Sequence, residues 1–469
     1  MKTIALVAML LLLWYVPAQA GTLAYWRFEE GPAGGYVLKG GVADGVFYPG
    51  VADSSGNGFG LSAWSEGGGS GYAYRADVPG GIIPLTGDAN NFSVQNTSSW
   101  PCMFTEPWGY MSSVEPAAFT IEASFKPESG GYRTLVGRDG LEVTSTDLNR
   151  APLYFQVQPD DSVAIKFADM AGFWHEAISA PGLISGFSYP DDPHGLTGHW
   201  YHMAAVSDGN VLSLYLNSGD GNGYQLVAQT DMTLSGSPNT SLTSAWWSPV
   251  ASGTDWVAAT WSVGRGLYGG QHTDRAYGFI DEVRISDSAL TPDQFLFASL
   301  PVSVMIQGLG SGTVHSTSPD INCTGGTCTK QYYMNTSTVL SPSTVGHSLF
   351  GGWTGDCTNT NGDCTVFMDQ SRTVIATFDL NPAEVVWVDP GTTYYGAIYN
   401  AYKDAAAIGS KIKACRIDFT GNLTFDLGKT VTLMGGYNSD YSKSDSYTTL
   451  VGKVTVKSGA VTMENIAIR

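Results

Sequence analysis

Carboxylates in adjacent pairs are the first residues of this 469-residue chain that could do chemistry: Glu29-Glu30, Asp160-Asp161, Asp191-Asp192 and Asp281-Glu282. Two carboxylates hydrolyse a glycosidic bond when one protonates the leaving oxygen and the other attacks the sugar, and the retaining geometry sets them about 5 to 5.5 Å apart. On a strand that separation calls for residues two apart, because neighbours point to opposite faces. Asp281 and Glu282 are therefore expected to face apart, as are Glu29 and Glu30, while the Asp160 and Asp191 pairs fall in turns. No Glu-x-Asp-x-x-Glu occurs. His199 and His202, three apart on an expected strand, also face apart, a poor geometry for one metal ion. The chain holds no His-Glu-x-x-His, no Gly-x-Ser-x-Gly and no phosphate-cradling glycine loop ahead of Lys-Ser or Lys-Thr. An enzyme is not the expectation.

The elements that must carry these residues are strands. Gly at 58 residues, 12% aromatic and only 14% charged residues describe turns and sheet faces, with few charged helix surfaces. The length exceeds what one core serves, so two to four domains are expected. Lys2, the apolar run Ile4 to Val16 and Pro17-Ala-Gln-Ala20 before Gly21 form a signal peptide over residues 1–20. An uncleaved anchor is the alternative reading. No later window is apolar for long enough to span a bilayer, so the mature protein is expected to be secreted, extracellular or at the cell surface, without a transmembrane segment. Loss of Lys2 takes the formal charge from −19 to −20. Such a surface repels phosphate backbones, so nucleic acid is excluded as a partner, and it tolerates Ca²⁺.

Within residues 21–300 the period is two. Leu23-Ala-Tyr-Trp-Arg-Phe28 puts Ala24, Trp26 and Phe28 on one apolar face, and Phe119, Ile121, Ala123 and Phe125 share another. Tyr132–Arg138, Leu153–Val157, Val163–Phe167, Trp200–Ser207 and Val211–Asn217 read as further strands. Phe279, Val283 and Ile285 nearly alternate in the closing strand. In order the chain shows Tyr-Trp-Arg-Phe-Glu, Asp-Ser-Ser-Gly-Asn-Gly, Phe-Thr-Ile-Glu-Ala-Ser-Phe-Lys-Pro, Gly-His-Trp-Tyr-His-Met-Ala-Ala-Val, Leu-Ser-Leu-Tyr-Leu-Asn and Gly-Phe-Ile-Asp-Glu-Val-Arg-Ile. That succession resembles the bacterial LamG-like, concanavalin A-like jelly rolls. The resemblance implies two antiparallel sheets packed face to face, with insertions at 60–113 and 234–260 at the rim or on a face.

The resemblance also implies a structural calcium ion. Related domains pair an Asp-Ser-Ser-Gly-Asn-Gly turn with an acid of the last strand, which maps onto Asp53, Asn57 and Asp281, with Glu29 as a further ligand. The competing reading is an Asx turn and a buried Asp bonded to backbone amides. Trp64, Trp100, Trp108, Trp246 and Trp247 lie in the insertions; they read as a ligand-binding platform or as packing of the insertions over the sheet.

Residues 301–380 carry short, regularly spaced strands. Ile321-Asn-Cys, Phe350-Gly-Gly-Trp-Thr-Gly-Asp-Cys357, Cys364-Thr-Val-Phe-Met-Asp369 and Val374-Ile-Ala-Thr-Phe378 resemble the bacterial repeat related to the internalin B-repeat, a spacer or adhesive module. With that resemblance and their proximity, Cys323 is expected to pair with Cys328 and Cys357 with Cys364. Four cysteines admit three connectivities, and zinc is the alternative in a reducing compartment. Cys102 and Cys415 fall in different domains and read as unpaired. In residues 381–469, Tyr394 to Ile412 has helical spacing up to Gly409. Val431-Thr-Leu-Met-Gly-Gly-Tyr437 and the strands after it resemble the first rungs of a β-helix.

The fold class expected is all-β: a concanavalin A-like jelly-roll sandwich, a small disulfide-bearing β domain and a short β-solenoid-like domain. The function expected is a secreted, noncatalytic binder of an extracellular glycan or surface protein. A structural or adhesive surface protein is second and a polysaccharide hydrolase third.

Overall fold

A computed structural model describes residues 21–469 apart from 44–45, 66–70, 99–100, 107–108, 141–149, 185–197, 244–259, 270, 318–319 and 406–407; for 41–47 and 64–65 the described residues are backbone only. The chain divides into two compact units, one formed by residues up to Gly219 with Tyr224–Phe297, the other by Asp220–Gly223 with Ala298–Arg469.

The first unit is a sandwich of two antiparallel sheets. Its strands are β1 (Thr22–Trp26), β2 (Gly41–Ala43), β3 (Val46–Tyr48), β4 (Ser62–Ser65), β5 (Tyr72–Arg75), β6 (Ser93–Asn96), β7 (Pro101–Phe104), β8 (Phe119–Pro127), β9 (Arg133–Asp139) and β10 (Leu153–Val157). There follow β11 (Val163–Ala168), β12 (Trp174–Ile178), β13 (Tyr201–Ser207), β14 (Val211–Asn217), β15 (Gln225–Asp231), β16 (Thr260–Val263), β17 (Gly266–Tyr268), β18 (Gln271–Thr273) and β19 (Gly278–Ser286). One sheet orders β15-β14-β13-β8-β19-β6-β5, with β1 also paired to β19; the other orders β12-β11-β10-β9-β16-β7-β4.

The period-two pattern builds the core between them. Ala24 and Trp26 of β1, with Phe28 just beyond it, join one core with Phe119, Ile121, Ala123 and Phe125 of β8 and Leu153, Phe155, Val163, Ile165 and Phe167 of the facing sheet. The polar face of β8 is buried as well. Glu122 pairs with Arg284 and accepts from the Leu296 amide at 2.7 Å, and Lys126 pairs with Asp77, so each charge placed under cover has a partner. Leu290 and Phe295 pack there against Ala204 and Val206.

In the closing strand the alternation breaks. Ile280, Val283 and Ile285 enter the core, and Phe279 lies on the other face beneath Lys126, whose Nζ is 4.5 Å from its ring centroid. The register against β8 slips between Asp281 and Arg284, a β-bulge in which Glu282 has φ +49°. Phe279 therefore does not share a face with Val283 and Ile285, contrary to the alternation read from the sequence.

The second unit contains two four-stranded sheets from residues 299–380, with a core of Val302, Val304, Trp353, Val374 and Phe378. The structure joins Cys323 to Cys328 and Cys357 to Cys364; Cys102 and Cys415 are buried thiols. Beyond Leu380, strands stack in parallel ladders: Ile408–Cys415 beside Thr430–Tyr437 beside Ala460–Glu464, and Asp418–Thr420 beside Thr448–Val451 beside Ile466–Ile468. The helix expected over Tyr394 to Ile412 is confined to Ile398–Asp404. Ile412 and Ala414 alternate inward on the following strand, which hydrogen-bonds to neighbours on both sides, and sheet pairing overrides the helical spacing.

Candidate functional site

Two polar constellations stand in the first unit, one sealed and one open. The sealed one gathers at the bulge. Asp281 Oδ2 accepts from Asn90 Nδ2 at 2.9 Å, and its Oδ1 from the Glu282 amide at 3.0 Å. Glu282 accepts from the Tyr25 hydroxyl and lies 3.3 Å from Arg27 Nε. Both carboxylates are fully buried. Burial, then the neighbouring Glu282, holds the Asp281 carboxyl well above the usual carboxylate range; burial also pushes Glu282 up, to about 7, against the pull of Tyr25 and Arg27. The expectation that adjacent carboxylates face apart fails here, because the extra residue of a bulge turns two consecutive side chains away from the apolar core. Their burial still denies them a substrate.

The four expected calcium ligands do not converge. Asp53 Oδ1 accepts from the amides of Tyr25 and Ser55, each at 2.9 Å, and its Oδ2 from Ser55 Oγ and the Phe59 amide. That is an Asx turn with its carboxylate saturated. Asn57 donates from Nδ2 to the carbonyls of Thr22 and Leu23. Glu29 is engaged by the Asn91 and Phe92 amides and by Asn91 Nδ2. Among the described residues no three His, Cys, Asp or Glu side chains stand close enough to share an ion. One feature fits a hard cation: Asn90 Oδ1, beside Asp281, is buried without a hydrogen-bond partner among the described residues.

Of the expected aromatic platform, Trp100, Trp108, Trp246 and Trp247 lie outside the described residues, and Trp64 is described only as backbone of β4. His199 is exposed ahead of β13, whereas His202 is buried on it, with Nδ1 2.7 Å from Ser124 Oγ and its ring 3.6 Å from that of Phe297.

The open constellation is a cavity of about 450 Å³ on the outward face of the seven-stranded sheet. Alternation makes its floor: while Leu153, Phe155, Ile165 and Ala177 point to the core, Tyr154 and Gln156 of β10, Lys166 of β11, and Trp174 and Glu176 of β12 point out. Register aligns Tyr154, Lys166 and Glu176 in one row across three strands. The hairpin of β17 and β18 walls the cavity with Tyr268 and leads into Asp274, whose carbonyl accepts from the Thr134 amide at 2.7 Å. Tyr132, before β9, and Arg150, paired to Tyr268 ahead of β10, complete the lining.

Its interactions separate fixed groups from available ones. The Tyr154 hydroxyl donates to the Leu267 carbonyl at 2.6 Å and accepts from the Ala151 amide, and its ring stacks on Trp174. The Arg150 guanidinium lies 5.2 Å from the Trp174 centroid. Lys166 Nζ and Glu176 Oε2 are 3.8 Å apart, a loose pair with the acid 60% exposed. Tyr132 and Tyr268 are 47% and 56% exposed, so their ring faces are accessible. Burial raises the Asp274 carboxyl above its ordinary value. Reading from sequence missed every one of these residues. The usable signal was the polar face of consecutive strands, where Tyr154, Gln156, Lys166, Trp174 and Glu176 recur at spacing two.

Residues 109–295, which include the whole cavity lining, match the family described as the concanavalin A-like lectin/glucanases superfamily. No curated protein matches the chain in sequence. Among solved structures the chain is similar to domain 4 of AbnA, a GH43 extracellular arabinanase from Geobacillus stearothermophilus, in complex with arabinotriose: 18% identity, 59% of this chain, 97% of that one, TM-score 0.35. It is also similar to the botulinum neurotoxin serotype G binding domain (9%, 73% and 69%, 0.35) and to the Ruminococcus gnavus IT-sialidase CBM40 bound to α2,6 sialyllactose (15%, 40% and 84%, 0.28).

Proposed function

We propose that this is a secreted, noncatalytic binding protein whose jelly roll recognises an extracellular glycan in the open cavity of the seven-stranded sheet. The carrying observation is the pairing of two exposed tyrosines with a polar floor. Sugars present apolar C–H faces to aromatic rings and hydroxyls to side-chain donors and acceptors, and the cavity offers both within a volume suited to a small oligosaccharide. The signal-like N-terminus and the two disulfides of the second unit support export. No helix among the described residues is long and apolar enough to cross a membrane. Isothermal titration of the full chain against an oligosaccharide library tests the reading. Binding without change in the sugar supports it, and a roughly fivefold to tenfold weakening of that binding in Tyr132→Ala places it at the cavity.

A hydrolase is the second reading, favoured by one observation: Glu176 is exposed while burial holds the Asp274 carboxyl toward its neutral form, and the two line the same cavity. Two carboxyls in one cleft are what such enzymes use as acid and base. Release of reducing ends from a bound polysaccharide, abolished by Asp274→Asn, would establish it in place of the binder.

The proposal includes a calcium ion at the bulge, held by Asp281 and the Asn90 carbonyl oxygen with Glu282 beside them. Its charge would let two adjacent buried carboxylates remain ionised. Asp53 and Asn57 have no part in it.

A further inference from the structure

We infer that the sugar taken by the cavity carries a carboxylate, so that the ligand is an acidic oligosaccharide such as a uronic-acid chain. The inference rests on the reading that the cavity binds glycan, and adds the chemical class.

Cations are scarce here. Residues 21–297 contain eleven lysines and arginines in a chain whose formal charge is −19. Most are engaged inside the fold: Arg284 by Glu122, Lys126 by Asp77, Arg265 by Asp139, Arg138 by the carbonyls of Ser112 and Thr243. Two of the eleven, Arg150 and Lys166, line the open cavity described above.

Each is set to meet an anion. The Arg150 guanidinium rests against the Trp174 ring, and a stacked guanidinium keeps a planar N–H edge, which matches a carboxylate in bidentate geometry. Lys166 lies 3.8 Å from the 60% exposed Glu176, and a pair so long with one partner in solvent contributes on the order of 1 kcal/mol or less, so a ligand carboxylate can replace Glu176 at little cost. Asp274 opposes an anion less than its formal charge suggests, since its carboxylate accepts from Thr273 Oγ1 at 3.3 Å and is countered by the charge of Arg133.

The test presents the full chain at pH 7 with oligosaccharides in matched pairs: oligogalacturonate, an alginate fragment and a glucuronoxylan fragment, each beside the same sugar with its carboxyls reduced to hydroxymethyl groups. The expected result is a tenfold or greater preference for at least one acidic member. Lys166→Ala and Arg150→Gln each bring that ratio toward one, whereas Tyr132→Ala weakens both members and leaves the ratio. If sugars bind and the reduced members bind as tightly, the inference fails while the glycan site stands. If no member of any pair binds, the reading beneath it falls and takes the inference with it.

Discussion

Asp281 and Glu282 are consecutive on one strand, and both turn into the same buried polar cluster, one against Asn90 and the other against Tyr25 and Arg27. The bulge between Asp281 and Arg284 makes this possible, and it creates an electrostatic cost that a cation would relieve.

Millimolar Ca²⁺ is accordingly expected to raise the melting temperature of the first unit and chelation to lower it, with the response gone in Asp281→Asn and reduced in Asn90→Ala. Binding at a hundredfold over Kd stabilises by about 2.7 kcal/mol. Scanning calorimetry in calcium and in chelator decides it, and identical curves in the two buffers remove the ion.

Tyr132→Ala and Tyr268→Ala should each weaken glycan binding by about 1 kcal/mol or more, roughly fivefold to tenfold, with little change in melting temperature, because both rings are exposed and pack into no core. A fall in stability equal to the fall in affinity would mark them as packing residues.

The ring of His202 is buried, and burial lowers its pKa from 6.5 to about 3. Between these values the unfolded chain binds the extra proton, so stability rises with pH: this contribution is complete above pH 6.5 and is lost as pH falls, by about 1.4 kcal/mol per unit. Other groups titrate in the same window, so the informative quantity is the difference between the wild type and His202→Gln from pH 4.5 to 7. A difference independent of pH would show that His202 takes up its proton in the folded state.

Glu122 and Arg284 form a buried pair. Arg284→Met alone leaves a carboxylate without its cation and should cost about 3–5 kcal/mol, whereas the double variant Glu122→Leu with Arg284→Met should recover most of that loss. Urea unfolding of the single and double variants measures the coupling, and additive losses would contradict it.

Much of the architecture was legible because burial imposes a period. The spacing of Phe119, Ile121, Ala123 and Phe125 is that of a strand whose face meets a core, and the strands Leu153–Val157 and Val211–Asn217 have the limits read from the sequence. Spacing failed where hydrogen bonding outside the local segment took over. Ile408 to Ile412 has helical spacing but lies in a ladder between two strands, and Phe279 leaves the core because the strand gains a residue.

By itself the sequence determined the all-β class, several strands of the first unit and the acidic balance, since these follow from local periodicity and composition, while the jelly roll was read from a resemblance. Tertiary structure alone decided which side chains meet. The cavity lining runs from Tyr132 to Asp274, residues joined by register across strands and by a folded-over hairpin. Whether two neighbouring carboxylates share a cluster depended on one bulge, and a bulge is set by the pairing of a strand with its partner, which no run of residues states on its own.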